Sequence, residues 1–289
     1  QAGIPLEILP LQKEYWDTVV TYTIEEIKKG RTPNPDMFCN SLIKFGQFYD
    51  KIDDSFDKVA SGHYAKVEFD GNKYKLIRTP DPIKDQTYFL AYLTQEQLSR
   101  AYFPLGNLNK AQVRQKAREY SLPNMSRKDS QGICFLGQIK FTEFIKHHLG
   151  EIKGDIIELD TGKKLGGHNG YYYFTIGQRS GLRLSGGPWY VVKKDVNENV
   201  IYVSKENYFR RAKDEFIVGK FNWISGEKPE NNAFQLKIRH GALMYNCKLN
   251  FIDDNKAFVK LDKPDQGIAP GQFAVFYNND LCLGGGVIL

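Results

Sequence analysis

The 289-residue chain carries 40 Lys and Arg against 34 Asp and Glu, a net charge of +6, with 41% hydrophobic residues. That supplies two or three ordinary cores, and no apolar run approaches the roughly 18 residues needed to cross a bilayer. The charge is shared evenly between the two halves without a basic tail, so any nucleic-acid contact has to be a local patch.

Residues 1–140 alternate strand and helix patterns. The opening Gln-Ala-Gly-Ile-Pro-Leu-Glu-Ile-Leu-Pro has neither a basic signal-peptide start nor an Arg-rich transit pattern. It reads as the interior of a folded domain with a short buried strand at 6–9, as if the chain begins mid-domain. Trp16, Val19, Val20, Ile24 and Ile27 recur at helical spacing and predict a helix over 14–29, ended by Gly30 in a left-handed conformation. A second helix is expected to open near Asn40 and carry Leu42, Ile43, Phe45 and Phe48. Val59-Ala-Ser-Gly-His63 reads as a buried strand leaving into a turn, and ligands of α/β sheets gather at the carboxyl ends of strands. Asp70-Gly71, between extended stretches at 64–69 and 74–78, predicts a hairpin. A helix over 109–120 places Lys110, Arg114 and Arg118 on one face. This stripe is either a solvated surface or a phosphate-facing one, and Arg127 and Lys128 just beyond it favour the second. The first half is α/β with a partly parallel sheet.

From about residue 153 short strands at 154–159, 190–194 and 199–203 are broken by Gly, Asn and Asp. Six alternating stretches then follow, at 216–218, 234–238, 245–251, 257–261, 273–277 and 281–289, and predict a closed β-barrel. Pro270-Gly-Gln sits at one of its corners. The glycines at 284–286 end a strand and open no helix, so they are not a phosphate loop. The fold class is α/β plus β: an α/β domain over 1–140, a small β-rich central domain over 141–212, and a six-stranded barrel over 213–289.

Two cysteine segments carry the chemistry. In Gly30-Arg-Thr-Pro-Asn-Pro-Asp-Met-Phe-Cys39-Asn40, Pro33 and Pro35 stiffen an exposed turn just before Asp36 and Cys39. In Asp129-Ser-Gln-Gly-Ile-Cys134-Phe-Leu-Gly137, flanking glycines let the backbone bend or a ligand come close. Cys247 and Cys282 stand in alternating apolar patterns and read as buried strand residues. Four cysteines are too few for a secreted disulfide scaffold, and no Cys-x-x-Cys pair or Cys/His cluster has metal-site spacing. A reducing compartment follows.

With Ser61-Gly-His-Tyr-Ala65, Lys84-Asp-Gln-Thr-Tyr-Phe-Leu90, Tyr173-Phe-Thr-Ile-Gly-Gln-Arg179 and Pro270-Gly-Gln-Phe-Ala-Val-Phe-Tyr277, these segments give the chain a resemblance. Along essentially its whole length it resembles the tRNA-specific 2-thiouridylases. The resemblance implies a Rossmann-like amino-terminal domain of the adenine nucleotide alpha hydrolase type, and a tRNA-binding central domain. That first domain is incomplete: nothing of the family's Ser-Gly-Gly-x-Asp-Ser ATP loop occurs, and ~70–100 family residues of βαβ structure are expected ahead of Gln1.

The activity implied is ATP-dependent adenylation of a wobble uridine, with Mg2+, then transfer of persulfide sulfur from a donor protein. Cys134 would carry the persulfide and Cys39 would resolve it, leaving a transient Cys39–Cys134 disulfide. Asp36 matches the family's acid/base, and a spacing of three can put it on one face with Cys39. The alternative is that Asp36 caps the helix opening near Asn40. Asn34, Pro35 and Asp36 would touch the target base, and Gly62 the adenine nucleotide. His63, Lys84, Asp85, Gln86, Arg239, His240 and Gln272 match tRNA-contact positions. Lys84–Asp85 could equally be a surface pair, and Arg239–His240 the exposed end of a barrel strand. His147, His148 and His168 read as surface or packing residues. Implied partners are tRNAs of the Lys, Glu and Gln type and a sulfur-relay protein or cysteine desulfurase, without a membrane. Gly187-Pro-Trp-Tyr-Val-Val points to the mitochondrial branch, with the bacterial cytoplasm as alternative. Two other functions stay open: another ATP-pyrophosphatase-type synthetase, and a non-catalytic tRNA-binding protein with a redox-active disulfide.

Overall fold

The computed structural model describes residues 3–53, 55–127, 141–205 and 212–289. Helix α1 (12–28) runs unbroken through a wider π-type stretch at Trp16–Val20, and Gly30 closes it at φ 74°. Its face of Tyr15, Val19, Val20 and Ile27 packs on Cys39 and Ile43. Helix α2 (35–51) opens at Pro35 rather than near Asn40, again with a π-type stretch, at Cys39–Gln47. Proline suits a first helical position, because the amide it lacks has no intrahelical partner there. Asn34 is the residue before the helix and makes no side-chain cap bond. Asp36 therefore lies within the first turn and is not its cap.

Residues 6–9 form no strand, and Leu6 and Ile8 are exposed. Apolar alternation makes a strand only where a neighbour supplies ladder bonds, and none of the described strands pairs with this stretch. After β1 (Val59–Ala60), the expected hairpin forms from β2 (Lys66–Phe69) and β3 (Tyr74–Ile77). Short helices α3 (Thr87–Leu90) and α4 (Gln95–Arg100) lead to β4 (Ala101–Tyr102), which pairs in parallel with β1. Helix α5 (Lys110–Glu119) starts from a reciprocal Asn109/Gln112 capping box.

Helix α6 (Phe141–Leu149) sets Phe144 and Ile145 into the core that α1 and α2 share. The central sheet contains β5 (Gly154–Glu158), β6 (Lys164–His168), β7 (Tyr190–Asp195) and β8 (Val200–Ser204) in the order β6-β5-β8-β7. Lys-Leu-Gly-Gly-His of β6 has one bulky apolar residue and gave no strand signal. The turn after β6 docks on the end of α1: the Tyr171 hydroxyl donates to the Lys28 carbonyl at 2.7 Å. Beside it, a Cβ on Gly30 would lie 2.5 Å from Val196 Cγ2.

Strands β9 (Lys213–Trp223), β10 (Ala233–Lys237), β11 (Tyr245–Phe251), β12 (Lys256–Asp265), β13 (Phe273–Asn278) and β14 (Leu281–Ile288) close into the expected six-stranded antiparallel barrel through β13–β14 pairing. The glycines at 284–286 lie inside β14, not at its end. There β14 threads between β9 and β13 so tightly that a Cβ on Gly286 would stand 2.5 Å from Val218 Cγ1. The first residues of β14 also pair with β3, so the hairpin and the barrel share one sheet. One apolar cluster accordingly joins Met37, Phe45, Leu76 and Tyr88 to Phe273, Val275 and Tyr277 of the barrel.

Inside this junction the wholly buried Asp85 accepts from Lys237 Nζ at 2.8 Å and from Arg78 Nε at 3.1 Å. Its other oxygen accepts from the Thr87 hydroxyl at 2.7 Å and the Thr87 amide at 3.2 Å. Asp85 is thus an internal tie, which corrects its expected place at the tRNA surface: two cations and a helix start converge on it and leave it no exposure. Asp85→Ala should strand a buried ammonium and destabilise the chain by about 3–5 kcal/mol in urea unfolding. Asp85→Leu with Lys237→Met should recover most of that loss. A near wild-type midpoint for Asp85→Ala would contradict the tie.

Candidate active site

The segment from Gly30 to Asn40 is held by the barrel. The Thr32 amide donates to the Pro270 carbonyl at 2.9 Å, and Gln272 Nε2 lies 3.2 Å from the Thr32 carbonyl and 3.3 Å from that of Pro33. Gly271, at φ 91°, allows this approach, since a Cβ there would lie 2.9 Å from both Arg31 Cβ and the Thr32 oxygen. Gln272, expected at the tRNA, uses its amide nitrogen as a strut for the loop. Behind Asn34 and Asp36 stands an aromatic wall in which Phe38 meets Tyr22, Tyr92 and Phe273 edge-on. Burial pushes the Tyr22 hydroxyl up to about 12 and those of Tyr88 and Tyr92 higher still, so the wall stays neutral. The Tyr22 hydroxyl also accepts from the Asn34 amide, a role its helical apolar spacing hid.

Asp36 and Cys39 lie three residues apart at the start of α2. Asp36 Oδ1 is buried and has no hydrogen-bond partner among the described residues. Such an oxygen carries a desolvation penalty unless a ligand supplies a donor. Cys39 is fully buried against Val19 and Val20 of α1 and Phe144 and Ile145 of α6. Cys134 and Lys128 lie outside the described residues. Burial pushes the thiols of Cys247 and Cys282 up to about 12, so both are inert at neutral pH. Among the described residues no group of three His, Cys, Asp or Glu could hold a metal ion.

Gly62 lines a cleft of about 420 Å³ with Tyr64, Lys110, Arg114, Met125 and Arg127. Among the described residues nothing stands within 4 Å of a Cβ built on Gly62, so its backbone is open to a flat ligand. The size, the bare glycine and the cationic rim suit an adenine nucleotide. The stripe on α5 divides within this setting. Arg114 donates to the carbonyls of Met125 and Arg127 at 2.8 and 2.7 Å and so braces the chain at 125–127. The brace uses two of the five guanidinium N–H groups, so Arg114 is partly scaffold. Lys110 Nζ stands 5.8 Å over the Tyr64 ring, and Arg118 is exposed outside the cleft.

Two further expected tRNA positions bond to their own neighbours. His63 is buried between Phe45 and Phe103, with Nδ1 2.7 Å from the Ser61 hydroxyl. Gln86 braces Tyr64 through both its amide and its side-chain oxygen, each at 2.9 Å. Lys84 is half-buried, and Arg239, half exposed, pairs with Asp265. His240 is exposed and stacks on Phe89 at 4.8 Å. Burial, then Lys237, lowers its pKa. His168 is buried and accepts from the Gly170 amide, while His147 is exposed on α6.

Three family models match in succession: a tRNA methyl transferase HUP domain over residues 1–140, a tRNA methyl transferase PRC-barrel domain over 142–205, and an aminomethyltransferase beta-barrel domain over 213–288. The tRNA-specific 2-thiouridylase MnmA of Parabacteroides distasonis is 48% identical over 296 residues, 99% of this chain and 82% of the relative. The chain belongs to the MnmA family. MnmA 1 of Bacteroides thetaiotaomicron is 47% identical with the same coverage, and MnmA of Porphyromonas gingivalis 44% over 302 residues, 99% of this chain and 82% of the relative. These MnmA relatives are bacterial, and they give the mitochondrial assignment no support. Among the described residues no helix is long and apolar enough to cross a membrane.

Burial, then the charge of Lys44, lowers the His63 pKa from 6.5 to about 3. Below about pH 6.5 the unfolded chain gains a proton that the folded one refuses, so stability should fall from there toward pH 3 and be flat above. Melting temperatures of His63→Phe against pH should show a shallower acid slope than wild type; an equal slope would refute this. Arg114→Ala should speed amide exchange at residues 122–127 by at least tenfold, on the order of the 1.5–3 kcal/mol of charge-assisted bonds, and unchanged protection would return Arg114 to the solvent-facing stripe.

Proposed function

We propose that this chain makes 2-thiouridine in tRNA, with Asp36, Cys39 and Cys134 as its reacting groups. The observation that carries the reading is the buried Asp36 oxygen without a partner among the described residues, one helical turn before Cys39, in a chain 44–48% identical to proteins named tRNA-specific 2-thiouridylase. ATP, when bound, supplies the adenylyl group that turns the uridine O2 into a leaving group. Gly62, Lys110 and Arg127 would hold the nucleotide, and Asn34, Pro35 and Asp36 would receive the base. Asp36 would exchange the proton of the uracil ring as the ring's charge changes.

The outer sulfur of a Cys134 persulfide attacks C2 as the activated oxygen departs. The Cys39 thiolate then attacks the Cys134 sulfur. The sulfur–sulfur bond to the base breaks, its electron pair stays on the thiocarbonyl sulfur, and a Cys39–Cys134 disulfide remains. A thiol reductant returns two electrons, and a sulfur-relay protein or cysteine desulfurase reloads Cys134. Substrates are tRNAs of the Lys, Glu and Gln type. The bacterial relatives favour the bacterial cytoplasm. The working units are 1–140 for activation, 141–212 for tRNA binding and 213–289 for bracing the loop.

In thiolation assays of the full-length protein, Cys39→Ser and Cys134→Ser should each abolish 2-thiouridine while tRNA affinity stays within a few-fold. Cys247→Ser and Cys282→Ser should retain turnover and lose on the order of 1 kcal/mol of stability. Asp36→Asn should lower kcat about 100-fold with little change in KM. Turnover by Cys134→Ser would sink the sulfur route, and tRNA binding without any ATP-dependent thiolation would mark a non-catalytic tRNA binder.

A further inference from the structure

At the end of the barrel strand β12 lies a second buried carboxylate, which no step above uses. Asp265 is only 7% exposed. Its Oδ2 accepts from the Tyr245 hydroxyl and from Arg239 Nη2, and its Oδ1 accepts from the Gly267 amide. Burial, then Asp265 itself, pushes the Tyr245 hydroxyl up to about 12, so it stays a neutral donor. A Cβ on Gly267 would collide with Arg239 Nη1, so glycine alone leaves the guanidinium its place.

The chain around Arg239 is equally fixed. Lys237 and Ile238 are buried, and His240 Nε2 lies 3.2 Å from the Asp85 carbonyl. Arg239 still keeps 48% of its side chain exposed. A free arginine loses rotamer freedom on binding, and here the fold has already taken it. Its charge is matched by Asp265, however. Phosphate binding draws on uncompensated positive charge, and lysine serves that purpose as a point charge. A guanidinium fixed beside its own carboxylate offers instead N–H donors directed in one plane. Those suit the carbonyl oxygens and ring nitrogens of a base edge.

The neighbours suit a base too. The exposed His240 ring stacks on Phe89, and burial, then Lys237, lowers its pKa and favours the neutral ring. Unpaired bases of RNA loops lie on such rings and present their edges to side chains. Pro270, whose carbonyl holds Thr32, follows Gly267 by three residues. The anchor of the guanidinium and the strut of the Asn34–Asp36 loop are therefore at most about 11 Å of chain apart.

We propose that Asp265 is a positioning residue: with Tyr245 it aims the Arg239 guanidinium at the acceptor edge of an unpaired base next to the target uridine. The inference rests on the tRNA reading above and gives roles to Asp265, Tyr245 and Gly267, which that reading leaves out.

The test is affinity of the whole chain for an unmodified glutamate-type tRNA transcript as a function of KCl, by fluorescence anisotropy. Arg239→Ala should weaken binding roughly 5–100-fold with the slope of log K against log salt unchanged. Arg239→Lys should do the same, because an ammonium lacks the planar fork. Asp265→Asn keeps the shape and removes the charge. It should weaken binding about 5-fold or more in the wild-type background and add nothing to Arg239→Ala. Tyr245→Phe gives the same cycle, with a smaller loss, should Asp265→Asn not fold. A phosphate ligand behaves otherwise: Asp265→Asn would tighten binding, Arg239→Lys would be silent, and Arg239→Ala would flatten the slope by about 0.7. Any of these results overturns the proposal, as does an Asp265→Asn loss that persists in Arg239→Ala. Absence of salt-sensitive tRNA binding by the wild-type chain would overturn the tRNA reading itself.

Discussion

The carboxylate of Asp85 fixes how the two large parts of the molecule sit. A fully buried charge is tolerated only when cations and donors surround it. Here they come from far apart in sequence: Arg78 beyond the hairpin, Thr87 at the start of α3, and Lys237 at the end of the barrel strand β10. Meeting all of them at once leaves the barrel a single seat on the α/β half. The Pro270–Gln272 corner thereby reaches the Thr32–Pro33 backbone, and the loop bearing Asp36 takes its shape from a barrel more than two hundred residues downstream.

That arrangement separates bracing side chains from exposed ones within single motifs. In the Lys84-Asp85-Gln86 run, Asp85 is buried and bonds inward, whereas Gln86 braces Tyr64 and, like Lys84, retains partial exposure. In Arg239-His240 the charges stay near the surface while His240 Nε2 reaches back to the Asp85 carbonyl at 3.2 Å. On α5, Arg114 grips the backbone at 125–127, whereas Lys110 faces the cleft beside Gly62. A short polar motif can therefore be half scaffold, and the scaffold half decides where the other half points.

Much of this architecture was legible in the chain. Six alternating stretches gave the barrel because strand periodicity is local, and Gly30 announced the end of α1 because only glycine adopts that backbone cheaply. The start of α2 was misplaced because two prolines suggest a turn, although one of them occupies the helical position that needs no amide donor. Residues 6–9 carried a strand-like pattern without a described neighbour to complete it. The inward roles of Asp85, His63 and Gln272 were invisible for a different reason. Polar residues in a short motif look alike whether they meet solvent or a partner 152 residues away, as Lys237 is from Asp85. The aromatic wall behind Asn34 was hidden in the same way, its members drawn from α1, α2 and β13 with nothing in local spacing to join them.

Strand β14 has a consequence for modularity. Along one edge it pairs with β13; along the other its first two residues pair with β3 and its later ones with β9. The strand that closes the barrel is therefore also the outer neighbour of the amino-terminal hairpin. Excising the barrel as an independent unit would expose the ladder edge of β3 and half-open the cluster around Leu76 and Tyr277. In this chain the barrel is therefore not a free-standing appendage: its closing strand is also the hairpin's neighbour, and a change in β14 is felt on both sides of it.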